Sequence, residues 1–177
     1  DNAYYARRDR DLINKTHSKV VRKQTYAEIQ TIARGGPAPE QQDPAIHGAM
    51  MTWETVEYVK QRTGLPLVLK GITSGVDAKC AIDHGVDVVY ESNTGGRQLD
   101  HQSGTVDVLP EVVDAVNAKV EIIIDGGFMR GADVIKALAL GANAVGIGRL
   151  QALGLGAAGR QGLIRALQIL KEELLID

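Results

Sequence analysis

Residues 86–97, Val-Asp-Val-Val-Tyr-Glu-Ser-Asn-Thr-Gly-Gly-Arg, join a short apolar run to a polar segment that contains two glycines. An apolar run of this length, bounded by turn residues, is typical of a strand that is buried on both faces. Gly85 precedes the run, and a predicted helix follows the polar segment. The residues after Glu91 are therefore predicted to lie at the carboxyl end of a strand.

The same order of strand, turn and helix recurs from residue 65 to the end of the chain. A helix is predicted from the N-cap Thr52 to Gly64, before the first strand. The apolar runs and the 3.6-residue periodicity then predict strands at 67–70, 86–91, 120–124 and 144–147, and helices at 75–84, 106–117, 131–140 and 160–175. Strands that alternate with helices indicate a parallel sheet.

Four β/α units amount to half of a (β/α)8 barrel, which takes roughly 250 residues. A four-stranded half would leave two bare sheet edges. Residues 1–177 are therefore predicted to form the C-terminal half of one α/β barrel domain, completed by an N-terminal half on another polypeptide. Residues 2–51 are predicted to form a long strand-to-helix connection. Connections of this length often act as lids over active sites or are mobile, and a lid is one interpretation of this one.

The charge, the apolar runs and the cysteine and histidine content of the sequence bear on its partners, its location and metal binding. The net charge of -2 gives no reason to expect nucleic acid or an anionic membrane as a partner. No apolar run approaches the roughly 20 residues of a spanning helix. Cys80 is the single cysteine, which excludes an internal disulfide, so a cytoplasmic location is expected. The histidines show no metal-ligand spacing, and no metal site is predicted.

Three polar motifs follow predicted strands, and each suits an anionic ligand. Ser92 to Arg97 follows the second strand, Asp125-Gly126-Gly127 the third, and Gly146 to Arg149 the fourth. Glycines let backbone N–H groups approach a phosphate closely, and phosphate sites in such barrels form after strands seven and eight. Lys70, at the end of the first strand, can stabilise developing negative charge. The planar fork of Arg97 suits a carboxylate.

Together these motifs resemble the FMN-dependent 2-hydroxy-acid oxidase and dehydrogenase family. The resemblance covers nearly the whole chain and implies FMN as cofactor and a small carboxylate-bearing substrate. It implies substrate binding by Arg8 and Arg97, and catalytic roles for Asp1 and Lys70. The predicted cofactor-binding residues are Lys70, Ser92, Asp125, Gly126, Gly127, Gly148 and Arg149, together with Arg130 as a positive charge that remains near the phosphate.

The sequence departs from the family pattern at three positions. Thr94 stands where the family has its catalytic histidine, Met129 where it has a phosphate-binding arginine, and Leu150 where it usually has proline. A threonine hydroxyl is not a base near pH 7 without help, whereas histidine is. Thr94 is therefore assigned to the catalytic site with altered base chemistry. His101 is a second candidate for the missing base, although a loop residue is the simpler interpretation.

The first residue matches a strand-end aspartate in the middle of the family's polypeptide. Either the parent chain is cleaved before Asp1, or this is an artificial or separately encoded half. After a natural cleavage, the new α-amine would lie near Thr94. Two hypotheses then stay open: the amine acts as a base for Thr94 in a remodelled catalytic pair, or Thr94 took part in the cleavage.

The predicted function is oxidation, with FMN as electron acceptor, of a 2-hydroxy acid or a related amine or amide. The alternatives are a catalytically inactive flavin-binding subunit and a non-flavin barrel enzyme with a phosphate-bearing ligand. Family members are commonly tetrameric, so a higher oligomer of paired halves is expected.

Overall fold

The computed structural model describes residues 51–97 and 101–176. Helix α1 spans Trp53–Thr63, and four β/α units follow. The units are β1 (Val68–Ile72) with α2 (Gly75–Asp83), β2 (Val88–Glu91) with α3 (Thr105–Val116), β3 (Glu121–Ile124) with α4 (Gly131–Ala139), and β4 (Ala144–Val145) with α5 (Arg149–Ile176). The predicted lid segment 2–51 lies, apart from residue 51, outside the described residues.

The strands form one parallel sheet in the order β1-β2-β3-β4, which confirms the predicted arrangement. Val88 pairs with Glu121, and Glu91 with Ile124, so the carboxyl ends of β2 and β3 are level. Among the described strands, β1 and β4 each pair on one side only.

The core lies between this sheet and the helices. Val89, Leu109, Val112 and Ile124 are fully buried there. The intervening strand residues Tyr90 and Ile123 are only half-buried, because they point to the opposite face of the sheet. That opposite face carries the polar side chains described below.

Local signals explain where the helices begin and end. The Ser74 hydroxyl accepts a hydrogen bond from the Asp77 N–H (3.1 Å) and caps α2. Helix α1 begins after Thr52 and ends at Gly64, whose φ of 63° is left-handed, as predicted. Pro110 lies inside α3, within two turns of its start.

The last helix differs from its prediction of 160–175. It starts at Arg149, and the backbone leaves the helical region at Ala158 and Gly159, so two helical segments meet at a kink. The first segment was missed because it holds two glycines, which disfavour helix. Gly154 allows close packing: a Cβ there would lie 2.9 Å from the Gly162 carbonyl oxygen of the second segment.

In the described part of the chain, no helix is both long and apolar enough to cross a membrane.

Candidate active site

The carboxyl ends of the four parallel strands meet at one edge of the sheet and form a cavity of about 310 Å³. Most of the sequence-predicted site residues come together there, although they are spread over 80 residues of sequence. The cavity is lined by Lys70, Thr94, Gly95, Arg97, Asp125, Gly126, Gly127, Phe128, Met129, Gly146, Gly148, Arg149 and Ala152.

Lys70, Ser92 and Asp125 form a hydrogen-bonded network across β1, β2 and β3. The Lys70 ammonium donates to the Ser92 hydroxyl (2.7 Å) and lies 3.2 Å from an Asp125 carboxylate oxygen. The Ser92 hydroxyl donates to the other oxygen of Asp125 (2.6 Å). Ser92 is buried, and it also accepts the backbone N–H of Thr94 (3.1 Å). This network fixes both the ammonium and the start of the loop that carries Thr94.

Thr94 adopts an unusual backbone conformation. Its φ is 54°, in the left-handed region, where a β-branched residue is a rare outlier. The following Gly95 and Gly96 also have positive φ, and the Asn93 side chain accepts the Gly96 N–H (3.2 Å). The loop thus presents the residue at position 94 to the cavity at some conformational cost.

The loops after β3 and β4 form a glycine-lined wall. Gly126 and Gly127 have φ of 112° and 86°, which L-residues rarely adopt. A Cβ at Gly127 or Gly148 would meet nothing within 4 Å, so the backbone there borders open space. A Cβ at Gly126 would instead lie 2.7 Å from the Thr105 hydroxyl oxygen, which donates to the Asp125 carbonyl (2.6 Å).

Three cationic side chains, Lys70, Arg97 and Arg149, line the cavity against one carboxylate, Asp125. The Arg149 guanidinium lies beside Gly95, within 3.6 Å of where a Cβ would be. A positive, glycine-lined cavity favours an anionic ligand.

Arg130 is placed differently from the other predicted cofactor-binding residues. Its guanidinium pairs with Glu173 of α5 (2.5 Å), and it does not line the cavity. The arginine's hydrogen bond, followed by that from the Gly131 N–H, lowers the pKa of Glu173. In the structure Arg130 therefore joins α4 to α5, and its cofactor role stays a prediction.

Some predicted residues are not brought into the cavity by the described structure. Asp1 and Arg8 lie outside the described residues. His101 is exposed, with φ of 64°, and is not part of the lining. Within 51–97 and 101–176, no group of three or more metal-ligating side chains occurs.

Two titratable residues near the cavity, Tyr90 and Glu91, were not among the predicted site residues, although neither lines the cavity itself. Tyr90 lies beneath the cavity, with the Lys70 ammonium 5.0 Å from its ring centre. Burial raises the pKa of Tyr90, and the charge of Asp125 adds to this effect. Glu91 is fully buried, and burial, followed by the charge of Asp125, raises its pKa to about 8. The available signal was Glu91 itself, a charged residue that ends an otherwise apolar run.

Comparison with known proteins identifies the family. A sequence profile described as FMN-dependent dehydrogenase matches residues 1–177. The chain belongs to that family. It is 51% identical over 123 residues to 2-hydroxyacid oxidase 1 of Mus musculus, which covers 70% of this chain and 33% of that protein. It is 46% identical over 135 residues to L-lactate oxidase of Nostoc sp., covering 76% and 36%.

A solved structure of a mandelate oxidase variant with a monooxide FMN adduct gives a TM-score of 0.68 at 47% identity. The match covers 70% of this chain and 40% of that one. It confirms the predicted fold class, the C-terminal half of a (β/α)8 barrel. The chain spans about a third of the length of the curated relatives it matches.

The cavity residues fit FMN, the cofactor of the family. Open space beside Gly127 and Gly148 leaves room for a phosphate against the backbone, and Arg149 supplies positive charge there. Lys70 supplies a cation that is held in place by Ser92 and Asp125. Met129 lines the same cavity without a charge.

Proposed function

We propose that this chain supplies the FMN-binding and substrate-orienting half of an oxidoreductase. The substrate would be small and carboxylate-bearing, either a 2-hydroxy acid or a related amine or amide. The observation that carries the proposal is the cavity itself, in which Lys70, Arg97 and Arg149 surround the Asp125–Ser92 network. The family match and the curated hydroxy-acid oxidase relatives support the same reaction class.

Bound FMN would supply the acceptor for the two electrons that leave the substrate carbon. Arg97 would orient the substrate by a two-pronged hydrogen bond to its carboxylate. Lys70 would stabilise negative charge that develops on the ligand beside it. Asp125 and Ser92 would keep that ammonium in place, since both contact it directly.

Position 94 makes the proton chemistry different from that of a histidine-containing site. The Thr94 hydroxyl can donate or accept a hydrogen bond, but it does not accept a proton near pH 7. An amine, an amide or an unusual hydroxy compound therefore suits this cavity better than glycolate or lactate. The proposed roles of Asp1 and Arg8, including a base at Asp1, stay predictions, because both residues lie outside the described part of the chain.

The site also requires more protein than these four β/α units. Among the described strands, β1 and β4 have one free edge each, and the relatives are about three times as long as the matched region. We propose that further β/α units pair with these edges and enclose the cavity. A separate N-terminal half-barrel polypeptide would provide them, in a homo-oligomer of paired halves.

The test is anaerobic reduction of the flavin in the purified native particle by a panel of 2-hydroxy acids and the matching 2-amino acids and amides. At least one should bleach the flavin. Arg97→Lys should then raise the substrate concentration for half-maximal bleaching about tenfold, because an ammonium lacks the planar fork. Arg62→Lys, on the exposed face of α1, is the matched control and should change nothing.

Two outcomes would contradict the proposal. Bound flavin that no substrate bleaches would favour an inactive flavin-binding subunit. A native particle without flavin would favour a non-flavin enzyme with a phosphate-bearing ligand, against which the family match already argues.

A further inference from the structure

A second, smaller cavity lies behind the candidate active site, on the helix side of the sheet. Its volume is about 80 Å³, and it is lined by Thr73, Glu91, Asn93, Gln102, Ser103, Thr105 and Val108. Asn93 and Thr105 also border Gly126, since a Cβ there would lie 3.3 Å from the Asn93 amide oxygen and 2.7 Å from the Thr105 hydroxyl oxygen. These two side chains and Gly126 thus form a wall between the cavities.

Among the described residues that line this second cavity, Glu91 is the only ionisable one. Its relative exposure is 0%, and no group in the described part of the chain donates a hydrogen bond to either of its carboxylate oxygens. An isolated carboxylate in a buried site costs several kcal/mol unless a counter-charge or a proton neutralises it. The cavity must therefore hold something that compensates Glu91, or Glu91 must keep its proton.

The wall around Glu91 carries hydroxyl and amide oxygens, and none of the described N–H or O–H groups donates to the Glu91 carboxylate. The Thr105 hydroxyl uses its single hydrogen on the Asp125 carbonyl (2.6 Å), so only its lone pairs remain for the cavity. The Asn93 amide group donates to the Ser103 carbonyl (3.2 Å), while its oxygen accepts the Gly96 N–H. No lysine, arginine or histidine within 51–97 or 101–176 lines the cavity. Oxygen atoms that offer lone pairs around one carboxylate are the ligand set of a hard cation.

The charge and volume of the cavity define the class of ion. One carboxylate among neutral oxygens balances a single positive charge, whereas sites for divalent cations usually combine several acidic ligands or retain substrate phosphates. One water needs roughly 10–15 Å³ of such space, so the cavity has room for a small ion and a few waters.

We propose that the Glu91 cavity is a binding site for a small monovalent cation, with the Glu91 carboxylate as its charged ligand and Thr73, Asn93 and Thr105 as neutral oxygen donors. Potassium, sodium and ammonium ions share this chemistry. A cation there would lie behind Gly126 and brace the wall that carries the Asp125–Gly127 loop. Ion binding would thereby couple to the order of the candidate active site without entering it.

The test compares thermal unfolding midpoints of the full-length protein in potassium, sodium, ammonium and choline chloride at one ionic strength. Choline is too large for the cavity and serves as the reference. At least one of the three small ions should raise the midpoint by about 3 °C over choline. Glu91→Gln keeps the side-chain size but removes the charge, so it should abolish the difference. Glu121→Gln removes an exposed carboxylate at the start of β3 and should keep it.

Equal midpoints of the wild type in all four salts would overturn the proposal, because the cavity would then hold water and a protonated Glu91. A salt effect that persists in Glu91→Gln would also overturn it, because the ion would bind elsewhere. If Glu91→Gln fails to fold, anomalous scattering from thallium(I) in wild-type crystals decides. A peak within the cavity supports the site, and its absence from soaked crystals contradicts it.

Discussion

At the scale of single residues, position 94 decides which chemistry the site supports. Thr94 sits at the mouth of a cavity whose remaining side chains are arranged for an anionic substrate and cofactor. Its φ of 54° is more compatible with histidine than with a β-branched residue. A histidine should therefore fit this loop at no greater backbone cost than the threonine that occupies it.

Thr94→His is expected to accelerate flavin reduction by 2-hydroxy acids by about 10²- to 10⁴-fold, because it supplies a general base at the reacting face. Stopped-flow bleaching under anaerobic conditions measures the rate. Thr94→Val is the control: it keeps the shape of threonine, lacks any base and should give no gain. A histidine variant no faster than wild type would mean that position 94 does not face the reacting carbon.

Glu91 gives the stability of the protein a pH dependence of defined sign. Burial raises its pKa from 4.5 to about 8 in the folded chain. Between these values the unfolded chain has released the proton and the folded chain still holds it, so the free energy of unfolding falls as pH rises. The loss is on the order of 5 kcal/mol over the whole range.

Urea denaturation in choline chloride at about pH 5 and about pH 8 checks this prediction, since choline leaves the proposed cation site without an ion. The difference between the two pH values should be smaller in Glu91→Gln, because glutamine does not titrate. Equal pH dependence in both proteins would show that Glu91 is hydrated or paired in solution and titrates near its ordinary value.

At the scale of elements, the loop after β3 depends on the absence of a side chain at Gly126. Gly126→Ala would place a Cβ against the Thr105 hydroxyl and break its hydrogen bond to the Asp125 carbonyl. Gly127→Ala is the matched control, because it has a similar positive φ but open space around its Cβ. Urea denaturation should show a loss of unfolding free energy about 1 kcal/mol larger for Gly126→Ala. Equal losses would mean that backbone strain alone accounts for both.

Secondary structure followed from the sequence because its causes are local. Apolar runs, the caps at Thr52 and Ser74 and the glycines after the helices act over a few residues, and every predicted strand and helix from residue 52 onward is present. The helical start of α5 was missed because it contains two glycines, one of which, Gly154, serves a contact with Gly162 that helix propensity does not include. The sequence likewise predicts only a polar segment where Thr94–Gly96 form a 3-10 turn.

The candidate site was less accessible to sequence reasoning. Motif spacing and the family resemblance placed Lys70, Arg97 and Arg149 at one sheet edge, where the cavity brings them together. They could not show that Arg130 pairs with Glu173, a residue 43 positions away. They also could not show that Glu91 points into a second cavity. The face of the sheet on which a strand residue lies depends on how the whole sheet is packed.

At the scale of the whole molecule, the described half-barrel leaves the outer edges of its two edge strands without a neighbouring strand. The free edges of β1 and β4 expose backbone N–H and C=O groups that a closed barrel pairs. Leu153, Leu155, Leu175 and Ile176 on α5 are more than half exposed.

We therefore expect the native particle to contain at least four further β/α units together with FMN, because only a closed barrel pairs both free edges. Native mass spectrometry gives the mass of the particle, and denaturing liquid chromatography with mass detection then separates its polypeptides and any released flavin. The expected result is stoichiometric FMN and additional polypeptide mass about equal to that of this chain or larger. A 19.0 kDa monomer that binds stoichiometric FMN would contradict it, because the cavity would then be complete with both free edges unpaired. Additional mass made up only of copies of this chain would instead contradict a separate N-terminal half-barrel, because the free edges would then pair between copies.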